Sequence, residues 1–468
     1  MARKSGLKIY LHIEVLLREL DSRLLLAVLA ASRGHEVILA DISSLEAGAT
    51  QGALSQGVLL TKSLTPSSKK MARHGVFRSQ SISITSIDEE SGLADYIDYT
   101  MFTKQRYSTE SLEQASAAFG WGANDSDALR ALFPEHARKV FMTGSPRVDL
   151  WRPRFMDYWR KTPNTPVRPF LLVSSNFSAN GTIPLHEYVS KLRKGGYFSR
   201  DEKGFHRFLG LVAEQWKLLV AFVEAIELLS QNTSDFDVVV RPHPSENAET
   251  WLELLHGLPN VHVVREGGIT SWVNHAFAVM HNGCTTAFEA TIAGTPVIAY
   301  TPFPQEYEMK APNQLGTRIS NPGDLVEEVT KIFRFHQAPT EAAKNLPSLP
   351  ATLSKKIYID DEELAAEKIV RVWESLEIEG KNKKTDWCRF RLVLLQKKIR
   401  SLLRTVLKKA SNQKEERSYS EQKFPGFDMA EVKAKINRLV GILGIEHPLQ
   451  VSRFSKTVIL IRKESVGQ

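Results

Sequence analysis

The stretch Phe277–Tyr300, FAVMHNGCTTAFEATIAGTPVIAY, sets the fold class of this chain. A short apolar run, Phe277–His281, ends just before Gly283, and a second apolar run begins at Val297. Gly283 allows a tight turn between them, and the segment from Thr285 onward has the pattern of a helix. A strand, a helix and a strand in succession are typical of a parallel sheet covered by helices. The sequence therefore predicts an α/β fold.

Strand-like and helix-like runs alternate over most of the chain. The strands predicted before residue 150 are Lys8–Val15, His35–Asp41, Gly57–Thr61, Ser81–Ile87, Tyr96–Thr103 and Lys139–Thr143. Those predicted after residue 168 are Phe170–Ser174, Phe236–Arg241, Val261–Val264, Phe277–His281 and Val297–Tyr300. The longer predicted helices are one ending near Ser32, Ser108–Phe119, Phe205–Ser230, Asn321–Phe335 and Tyr358–Leu376. The run Arg152–Arg168, rich in Pro and Arg, has the composition of a linker between the two series.

Two successive strand–helix series joined by a linker predict two Rossmann-like domains that face each other across a cleft. A chain of 468 residues agrees with this prediction, because domains usually hold about 100–200 residues. The expected domains are residues 1–155 and residues 168–336. A helical return segment is expected over 337–380, followed by a basic amphipathic helix and C-terminal extension over 381–468.

Composition narrows the class of protein. Hydrophobic residues make up 42% of the chain and charged residues 24%, which excludes global disorder and a coiled-coil rod. No run approaches the ~18 apolar residues of a membrane-spanning helix. Near the N-terminus, His12, Glu14 and Arg18 interrupt the apolar core that a signal peptide needs. Cys284 and Cys388 are too few for a disulfide framework or a zinc site, so we expect a cytoplasmic protein without a metal.

The net charge of +8 originates in one segment. Eleven Lys or Arg and a single acid, Asp386, lie between Lys381 and Lys409, a local charge of +10 that leaves −2 for the rest. A body so near neutral argues against nucleic-acid binding. Apolar residues from Trp387 to Leu407 interleave with these charges, so residues 381–409 are predicted to form an amphipathic helix on an anionic membrane surface. Docking on an acidic partner or on the protein's own domains is the alternative, and RNA binding is a third.

Ligands of open parallel sheets bind beyond the carboxyl ends of the strands. The polar residues that directly follow predicted strands are therefore candidates for a site. They are Glu14, Asp88, Glu89, Glu90, Ser174, Asn176, Arg241, His243, Pro244, Asn282 and Gly283. Their convergence on strand ends is the main indication, from the residues alone, that the protein binds a ligand.

Two motifs suit an anionic ligand. Arg241-Pro242-His243-Pro244 follows an apolar strand, and its prolines fix φ, so the turn would hold Arg241 and His243 toward a diphosphate or nucleotide phosphate. Thr285 and Thr286 begin a helix, where free amides and the helix dipole favour phosphate. Glu289, one turn further on, would bond ribose hydroxyls. A rigid surface loop and an ordinary N-cap are the alternatives for the two motifs.

Acidic residues provide the candidates for catalysis. Asp88, Glu89 and Glu90 cannot all be buried together cheaply, because like charges repel. One of them at a cleft would act as a general base on an attacking hydroxyl, and the first turn of a solvated helix is the alternative. Glu14 lies at the first strand–helix junction, where it would reach the cleft; ordinary surface pairs formed by Arg18 and Glu19 are the alternative. The fingerprints of dinucleotide-binding and P-loop proteins are absent, which argues against a dinucleotide cofactor and an ATPase.

These motifs resemble those of GT-B glycosyltransferases. The spacing Gly283…Thr286…Glu289…Gly294-Thr295-Pro296 is similar to the nucleotide-binding helix of that fold. His243-Pro244 resembles the His-Pro motif of the GT-B enzymes that use CMP-activated acidic sugars, namely bacterial sialyltransferases and Kdo transferases. In those enzymes the His-Pro segment contacts the cytidine nucleotide.

Further motifs extend the resemblance. Asp88-Glu89-Glu90-Ser91-Gly92 is similar to the acidic motif of the same enzymes, two acids followed by Gly, although Ser91 departs from it. Together with Glu14…Arg18-Glu19-Leu20-Asp21-Ser22-Arg23 and Gly144-Ser145-Pro146-Arg147-Val148-Asp149, it resembles the bacterial surface carbohydrate biosynthesis protein family. A similar Gly-x-Pro-Arg-x-Asp occurs in CDP-glycerol glycerophosphotransferases, which are also GT-B proteins. The resemblance covers about residues 7–335.

The resemblance implies a glycosyltransferase of bacterial surface polysaccharide biosynthesis, such as that of lipopolysaccharide or capsule. It implies transfer of a sugar, Kdo or sialic-acid-like, from a CMP-linked donor to a glycan or lipid-linked acceptor, without a further cofactor. The acceptor would bind the N-terminal domain and the donor the second domain, with Thr285-Thr286 in the place of the family's Ser/Thr pair. A UDP-sugar or CDP-glycerol donor, and a non-catalytic nucleotide-binding scaffold, are the alternatives.

Overall fold

The computed structural model describes residues 6–93, 99–195, 202–337, 349–378, 384–410 and 423–464, with the backbone alone at 202, 352 and 401–410. These residues divide into two compact units. The first unit combines residues 1–150 with residues 354–468, and the second unit is the continuous segment 151–353. Each unit is built around its own parallel sheet, so the predicted mixed α/β class is confirmed.

The described residues contain fourteen strands and eighteen α-helices. The strands are β1 Lys8–Ile13, β2 Glu36–Asp41, β3 Gly57–Thr61, β4 Ile82–Ile87, β5 Ala115–Gly120, β6 Val140–Met142, β7 Phe170–Ser174, β8 Asp237–Arg241, β9 Val261–Val263, β10 Ala278–His281, β11 Val297–Tyr300, β12 Thr317–Ile319, β13 Leu449–Ser455 and β14 Val458–Lys463. The helices are α1 Leu16–Ser32, α2 Ile42–Thr50, α3 Ser68–Ser79, α4 Tyr99–Arg106, α5 Thr109–Gln114, α6 Ala123–Leu132, α7 Pro146–Asp149, α8 Leu185–Lys194, α9 Glu202–Asn232, α10 Ala248–Leu254, α11 Ile269–His275, α12 Thr286–Ala293, α13 Lys310–Asn313, α14 Pro322–Gln337, α15 Ala351–Ser354, α16 Ala365–Ser375, α17 Trp387–Ala410 and α18 Met429–Ile442. Within the described residues, none of these helices is both long and apolar enough to cross a bilayer.

The first sheet takes strands from both ends of the chain. Its order is β13-β14-β2-β1-β3-β4-β5-β6, and the strands β1 to β6 run parallel. The core of this order, β2-β1-β3-β4-β5, is that of flavodoxin-like folds. The hairpin β13–β14 adds antiparallel to β2, with Leu460 opposite Ile38. It covers the edge of β2 that would otherwise present unpaired backbone groups.

From Leu24 to Ala31, helix α1 is apolar around its whole circumference because it is covered on both sides. Buried leucines and alanines such as Leu24, Leu25 and Ala27 line it. One side packs on the sheet, and helices α16 and α18 from the C-terminal part of the chain pack on the other. The C-terminal helices are therefore part of the first unit; the sequence predicted residues 337–380 as a return segment and residues 381–468 as an extension.

The second sheet is entirely parallel, in the order β12-β11-β10-β7-β8-β9. This is the strand order of a doubly wound Rossmann fold, with the reversal between β7 and β10. Helix α9 packs on it through Phe222, Ile226 and Leu229, which join the strand side chains Val238 and Met280 in one core. Strands buried on both faces read as continuous Val, Ile and Leu runs, which is why their sequence pattern was clear.

Two local predictions were wrong or incomplete. Residues 99–103 of the predicted strand Tyr96–Thr103 lie in helix α4, which continues to Arg106, and residues 94–98 lie outside the described part of the chain. The predicted helix Ser108–Phe119 ends at Gln114 and is followed by strand β5. The small side chains of β5 favour a helix by propensity, but they let α6 approach the sheet, since a Cβ on Gly120 would lie 2.0 Å from Oγ of Ser126.

Two further segments differ from their predictions. The predicted linker Arg152–Arg168 is packed at its start, where a 3₁₀ turn buries Phe155 and Tyr158 within the second unit. The predicted helix Tyr358–Leu376 begins only at Ala365. Residues 338–348 and 379–380 of the predicted segment 337–380 lie outside the described residues, as do residues 381–383, 411–422 and 465–468 of the predicted segment 381–468.

Candidate functional site

In the second unit the strand order reverses between β7 and β10, the point where open α/β sheets bind ligands. Ser174, the last residue of β7, lies opposite His281, the last residue of β10. Its Oγ contacts Oγ1 of Thr286 at 3.1 Å and Sγ of Cys284 at 3.2 Å. The structure therefore brings Ser174 together with the start of α12, as the sequence predicted for the strand ends.

The turn from β10 into α12 is fixed by backbone geometry. Gly283 has a φ of +62°, a conformation that favours glycine, and a Cβ there would lie 3.2 Å from Met309. Its N–H donates to Oδ1 of Asn313 at 2.7 Å, while Nδ2 of Asn282 donates to the carbonyl of Tyr300 at 2.8 Å. Asn282 thus shapes the turn and is not directed by these contacts toward a ligand.

The first turn of α12 has the features of an anion site. The amides of Cys284, Thr285 and Thr286 meet no acceptor within the described residues. Unsatisfied amides at a helix start carry a partial positive charge that attracts phosphate. Glu289 lies one turn further on, buried, and one of its carboxylate oxygens accepts a hydrogen bond from Oγ1 of Thr270 at 2.8 Å. Glu289 is held in a defined place by this bond.

The guanidinium of Arg241 is engaged by contacts within the second unit. Its guanidinium donates to the carbonyls of Glu266 and Gly267, the latter at 2.9 Å, and it lies 5.2 Å from the ring centroid of Trp272. Burial lowers the pKa of Arg241 to about 10. Its donors hold the loop after β9, so the prediction that Arg241 faces an anion is not supported by these contacts.

The His-Pro turn presents its histidine to solvent. His243 and Pro244 are exposed, and the N–H of Ser245 donates to Nδ1 of His243 at 3.2 Å. The proton of the neutral ring therefore lies on Nε2, which is left to donate outward. The carbonyl of Pro244 accepts a hydrogen bond from Arg265 at 2.8 Å. Asn176 is half-buried after β7.

Glu246 organises this edge of the second sheet and was missed from the sequence. It is fully buried, and its Oε1 accepts hydrogen bonds from Oγ of Ser175 and from the amides of Phe177 and His243 at 2.9–3.1 Å. Its Oε2 accepts from Nε1 of Trp251 at 3.0 Å. Burial raises the pKa of Glu246 despite these donors. The sequence shows Glu246 as an acid three residues after His243, and this position alone does not distinguish a buried acid from an exposed one.

In the first unit the strand order reverses between β1 and β3, and Glu14 follows β1. Its carboxylate forms ion pairs with Lys62, 2.5 Å away after β3, and with Lys423, 3.0 Å away. Burial opposes ionisation of Glu14, but the two ammonium groups outweigh it and lower its pKa to about 2. Glu14 is thus a fixed negative charge at this position, and so weak a base is unsuited to removing a proton.

Asp88, directly after β4, has the properties of a general base. Its side chain is buried, and burial raises its pKa to about 6 even though Nη1 of Arg106 lies 3.7 Å from Oδ2. Oδ1 accepts a hydrogen bond from the amide of Glu90 at 3.0 Å, and Oδ2 accepts none from the residues that the structure describes. Nε1 of Trp121 donates to the Asp88 carbonyl at 2.7 Å and fixes the backbone at this point.

The two neighbouring acids are committed to arginines. Glu89 forms a buried ion pair with Arg23 at 2.7 Å, and Nε of Arg23 donates to the carbonyl of His12. Glu90 is exposed and pairs with Arg106 and Arg18. The sequence predicted one base among three acids, and the structure separates them into a poised carboxyl, a buried ion pair and a surface ion pair.

The Gly144–Asp149 motif joins the two chain segments of the first unit. Gly144 has a φ of +80°, and a Cβ there would lie 2.5 Å from the carbonyl oxygen of Tyr358. Asp149 accepts hydrogen bonds from the first amides of α16, those of Ala365 at 3.0 Å and Ala366 at 2.9 Å. Arg147 donates to the carbonyl of Glu89 at 3.1 Å. The motif therefore holds the start of helix α16 and, through Arg147, the backbone of the loop that contains Asp88, Glu89 and Glu90.

No protein-family model matches this chain, and none of the curated proteins does. Solved structures do match. A Listeria monocytogenes structure described as a UDP-N-acetylglucosamine 2-epimerase is 13% identical over 81% of this chain and 99% of its own, with a TM-score of 0.48. The UDP-GlcNAc 2-epimerase from Neisseria meningitidis bound to UDP-GlcNAc is 13% identical over 79% of this chain and 99% of its own, with a TM-score of 0.42. The wall teichoic acid polymerase TagF is 11% identical over 70% of this chain and 84% of its own, with a TM-score of 0.39.

Proposed function

We propose that the protein is a glycosyltransferase of bacterial surface polysaccharide biosynthesis. It transfers a sugar from a nucleotide donor to a glycan or lipid-linked acceptor, and a CMP-linked acidic sugar of the Kdo or sialic acid type is the donor of first choice. The donor binds the second unit, and the acceptor binds the first unit. The observation that supports sugar transfer is the basic carboxyl of Asp88 at the end of a strand, because a protein that only binds a nucleotide sugar does not require such a base.

The chemistry proposed for Asp88 follows from its surroundings. A carboxyl whose pKa is about 6 is mostly ionised at pH 7 and is still basic enough to take a proton from an acceptor hydroxyl. Oδ2 accepts no hydrogen bond from the described residues; it is buried and lies 3.7 Å from Nη1 of Arg106, and we propose that the acceptor hydroxyl reaches it when the acceptor binds. Of the four acids predicted as catalytic, Glu14 is too weakly basic, and Glu89 and Glu90 are neutralised by arginines.

The donor phosphate is proposed to bind the free amides at the start of α12, beside Thr285 and Thr286. These amides and the helix dipole stabilise the leaving phosphate without a metal ion. Glu289 is proposed to bond the ribose, and the exposed Nε2–H of His243 to donate to the nucleotide. Arg241 has no part in this proposal, because its guanidinium already holds the loop at Glu266.

A thermal-shift panel tests the donor site. The melting temperature is measured with CMP, CDP, CTP, UMP, UDP and GDP for the wild type and for His243→Ala. A nucleotide at ~100 times its Kd adds ~2.7 kcal/mol of stability, which shifts the transition by several degrees. Protection by cytidine nucleotides that is lost in His243→Ala supports the CMP-linked donor. Protection by uridine nucleotides alone assigns a UDP-sugar donor, and protection by CDP with turnover of CDP-glycerol assigns that donor.

A non-catalytic nucleotide-binding subunit is the second candidate. It is favoured by the buried ion pair of Glu89 with Arg23, because the sequence predicted Glu89 as one of the possible catalytic bases. It predicts that nucleotides protect the wild type from unfolding while no donor is turned over, and that Asp88→Asn changes no activity. Loss of donor turnover in Asp88→Asn, with nucleotide protection retained, would exclude this candidate.

We also propose that the protein works on the cytoplasmic face of the inner membrane, held there by the basic segment 381–409. The local charge of +10 supports this placement, because basic residues are attracted to anionic lipid headgroups. A lipid-linked acceptor would then be presented at the same surface. Co-sedimentation of the full chain with anionic vesicles tests the placement.

A further inference from the structure

Helix α17 has two faces, of which one is used by the first unit. Phe390 is fully buried against α2, so closely that a Cβ on Gly48 would lie 2.7 Å from its ring. Leu394 is buried beside it, and Trp387 stacks on Phe454 of β13 with ring centroids 4.7 Å apart. The sequence predicted that this helix lies on a membrane, with docking on the protein's own domains as the alternative, and these three side chains attach the helix to its own protein.

The opposite face carries an exposed apolar stripe. Leu392 and Leu395 are each 53% exposed and Ile399 is 47% exposed. Their spacings of three and four residues place them in one row along the helix, and exposed Cys388 begins the same row one turn earlier. The packing of the first unit does not explain why three large apolar side chains are exposed in one row.

Exposed basic residues flank the stripe on both sides. Arg391 and Lys398, seven residues apart, lie on one side, and Arg389 and Arg400, eleven residues apart, lie on the other. Asp386 precedes the helix, where its carboxylate accepts a hydrogen bond from the amide of Arg389 at 2.9 Å. From Trp387 to Arg400 the sequence has no acid, so nothing in this stretch offsets the flanking charges.

We infer that the row Cys388, Leu392, Leu395 and Ile399 is the surface by which the protein lies on an anionic lipid bilayer. The helix lies in the plane of the membrane, the row enters the boundary between headgroups and acyl chains, and the flanking arginines and lysine pair with lipid phosphates. The apolar row matches the apolar interior of the bilayer, and the two flanking basic rows match its anionic surface. The inferred surface rests on the membrane placement proposed above and specifies the face that makes it.

Cys388 provides a test that needs no substitution. The chain has two cysteines, of which Cys284 is buried and Cys388 is exposed on the row. We expect maleimide to react with Cys388 of the full chain in solution, and to react at least about tenfold more slowly once phosphatidylglycerol-containing vesicles bind it. Neutral phosphatidylcholine vesicles should leave the rate unchanged. An unchanged rate under conditions where the protein co-sediments with anionic vesicles would overturn the inferred surface.

Substitutions provide the second test. The variant Leu392→Ser/Leu395→Ser/Ile399→Ser is expected to lose about tenfold or more in vesicle partitioning, because its apolar contact is removed. The control Leu252→Ser/Leu254→Ser/Phe335→Ser replaces three exposed apolar residues of the second unit and should partition like the wild type. Arg389→Gln/Lys398→Gln, which replaces one exposed basic residue on each side of the stripe, should weaken binding and reduce its dependence on salt.

The outcomes separate the two proposals. Equal partitioning of the wild type and the stripe variant overturns the inferred face and leaves the membrane placement standing. Wild-type protein that binds no vesicle overturns both, while the nucleotide panel still decides the transferase proposal by itself. Capture of an acidic protein by the stripe without vesicle binding assigns the face to a protein partner and also overturns the inference.

Discussion

The ionisation of Asp88 affects both the proposed reaction and the stability of the fold, in opposite directions. A carboxyl whose pKa is raised by folding stabilises the folded state less once it ionises. Its contribution is complete below pH 4, where both states are protonated, and is lost as the pH rises through about 6. The ionised form of Asp88, which the proposed reaction requires, is therefore the form that destabilises the first unit.

We predict opposite effects of Asp88→Asn on activity and stability. Donor turnover should fall at least about 100-fold, because the base is removed. Above pH 7 the free energy of unfolding should rise by about 1–3 kcal/mol, since the asparagine has no charge to bury, and the gain should vanish below pH 4. Urea unfolding and donor turnover are measured from pH 4 to 8. The exposed neighbour serves as control, and Glu90→Gln should leave both quantities within about twofold or ~0.5 kcal/mol.

The buried pair Arg23–Glu89 gives a second residue-scale prediction. Arg23→Met leaves Glu89 buried without a partner and should cost about 3–5 kcal/mol of the first unit's stability. The double variant Arg23→Met/Glu89→Leu should cost less than the sum of its single variants, because neither charge is then left alone. A double-mutant cycle in urea measures this coupling. Additive effects of the two substitutions would mean that the pair does not interact in the folded protein.

At the scale of single residues, the sequence could not predict which groups each side chain contacts. The positions of Glu14, Asp88, Arg241 and Thr286 after strands were predictable from apolar runs alone. The carbonyls that bind Arg241 belong to a loop some 25 residues further on, and Lys423 lies 409 residues from Glu14. Contacts of long, flexible side chains across such separations leave no local pattern. The raised pKa of Asp88 depends likewise on burial that only the folded unit creates.

At the scale of elements, the helix α16 depends on an acid that is distant in sequence. Asp149 accepts hydrogen bonds from its first two amides, across 216 and 217 residues. Leu364 precedes the helix and makes no side-chain cap. The Gly-Ser-Pro-Arg-Val-Asp motif, part of the resemblance to surface carbohydrate proteins, thus has a structural role in this chain.

We predict that Asp149→Ala destabilises the first unit by about 1–3 kcal/mol, since two buried donors lose their acceptor. Hydrogen exchange should accelerate most in residues 365–375. Asp149→Asn keeps one oxygen acceptor and should cost less. Asp157→Ala, at an exposed aspartate, is the matched control and should change neither quantity. Unchanged exchange in α16 of Asp149→Ala would contradict the capping role.

Strands were predicted correctly where every residue is buried and apolar. They were predicted wrongly where the intrinsic helix propensity of the residues differs from the structure that packing imposes. Strands β3, β7 and β11 were predicted with the bounds that the structure has, because each is a fully buried apolar run between turns. Strand β5, Ala-Ser-Ala-Ala-Phe-Gly, was assigned to a helix because alanine favours helices locally. Its place between β4 and β6 is a tertiary effect, set by the close approach of α6.

At the scale of the whole molecule, the first unit is completed by the hairpin β13–β14. Four buried residues of β14, Val458 to Ile461, pair with or pack beside β2. Deletion of residues 449–463 should expose the edge of β2 and make the first unit unfold or aggregate. The second unit, residues 151–353, should keep its protection from proteolysis and hydrogen exchange. A chain that ends at Glu464 is the control and should behave as the full chain.

The two-ended construction of the first unit also imposes an order on biosynthesis. Strand β2 leaves the ribosome long before β14, and at ~5–20 residues per second the interval lasts on the order of tens of seconds. During that time the continuous second unit has every residue it needs to fold, while the edge of β2 stays open to passing chaperones or to other nascent chains. Conditions that slow translation late in the message should therefore lower the yield of folded protein more than equal delays near its start.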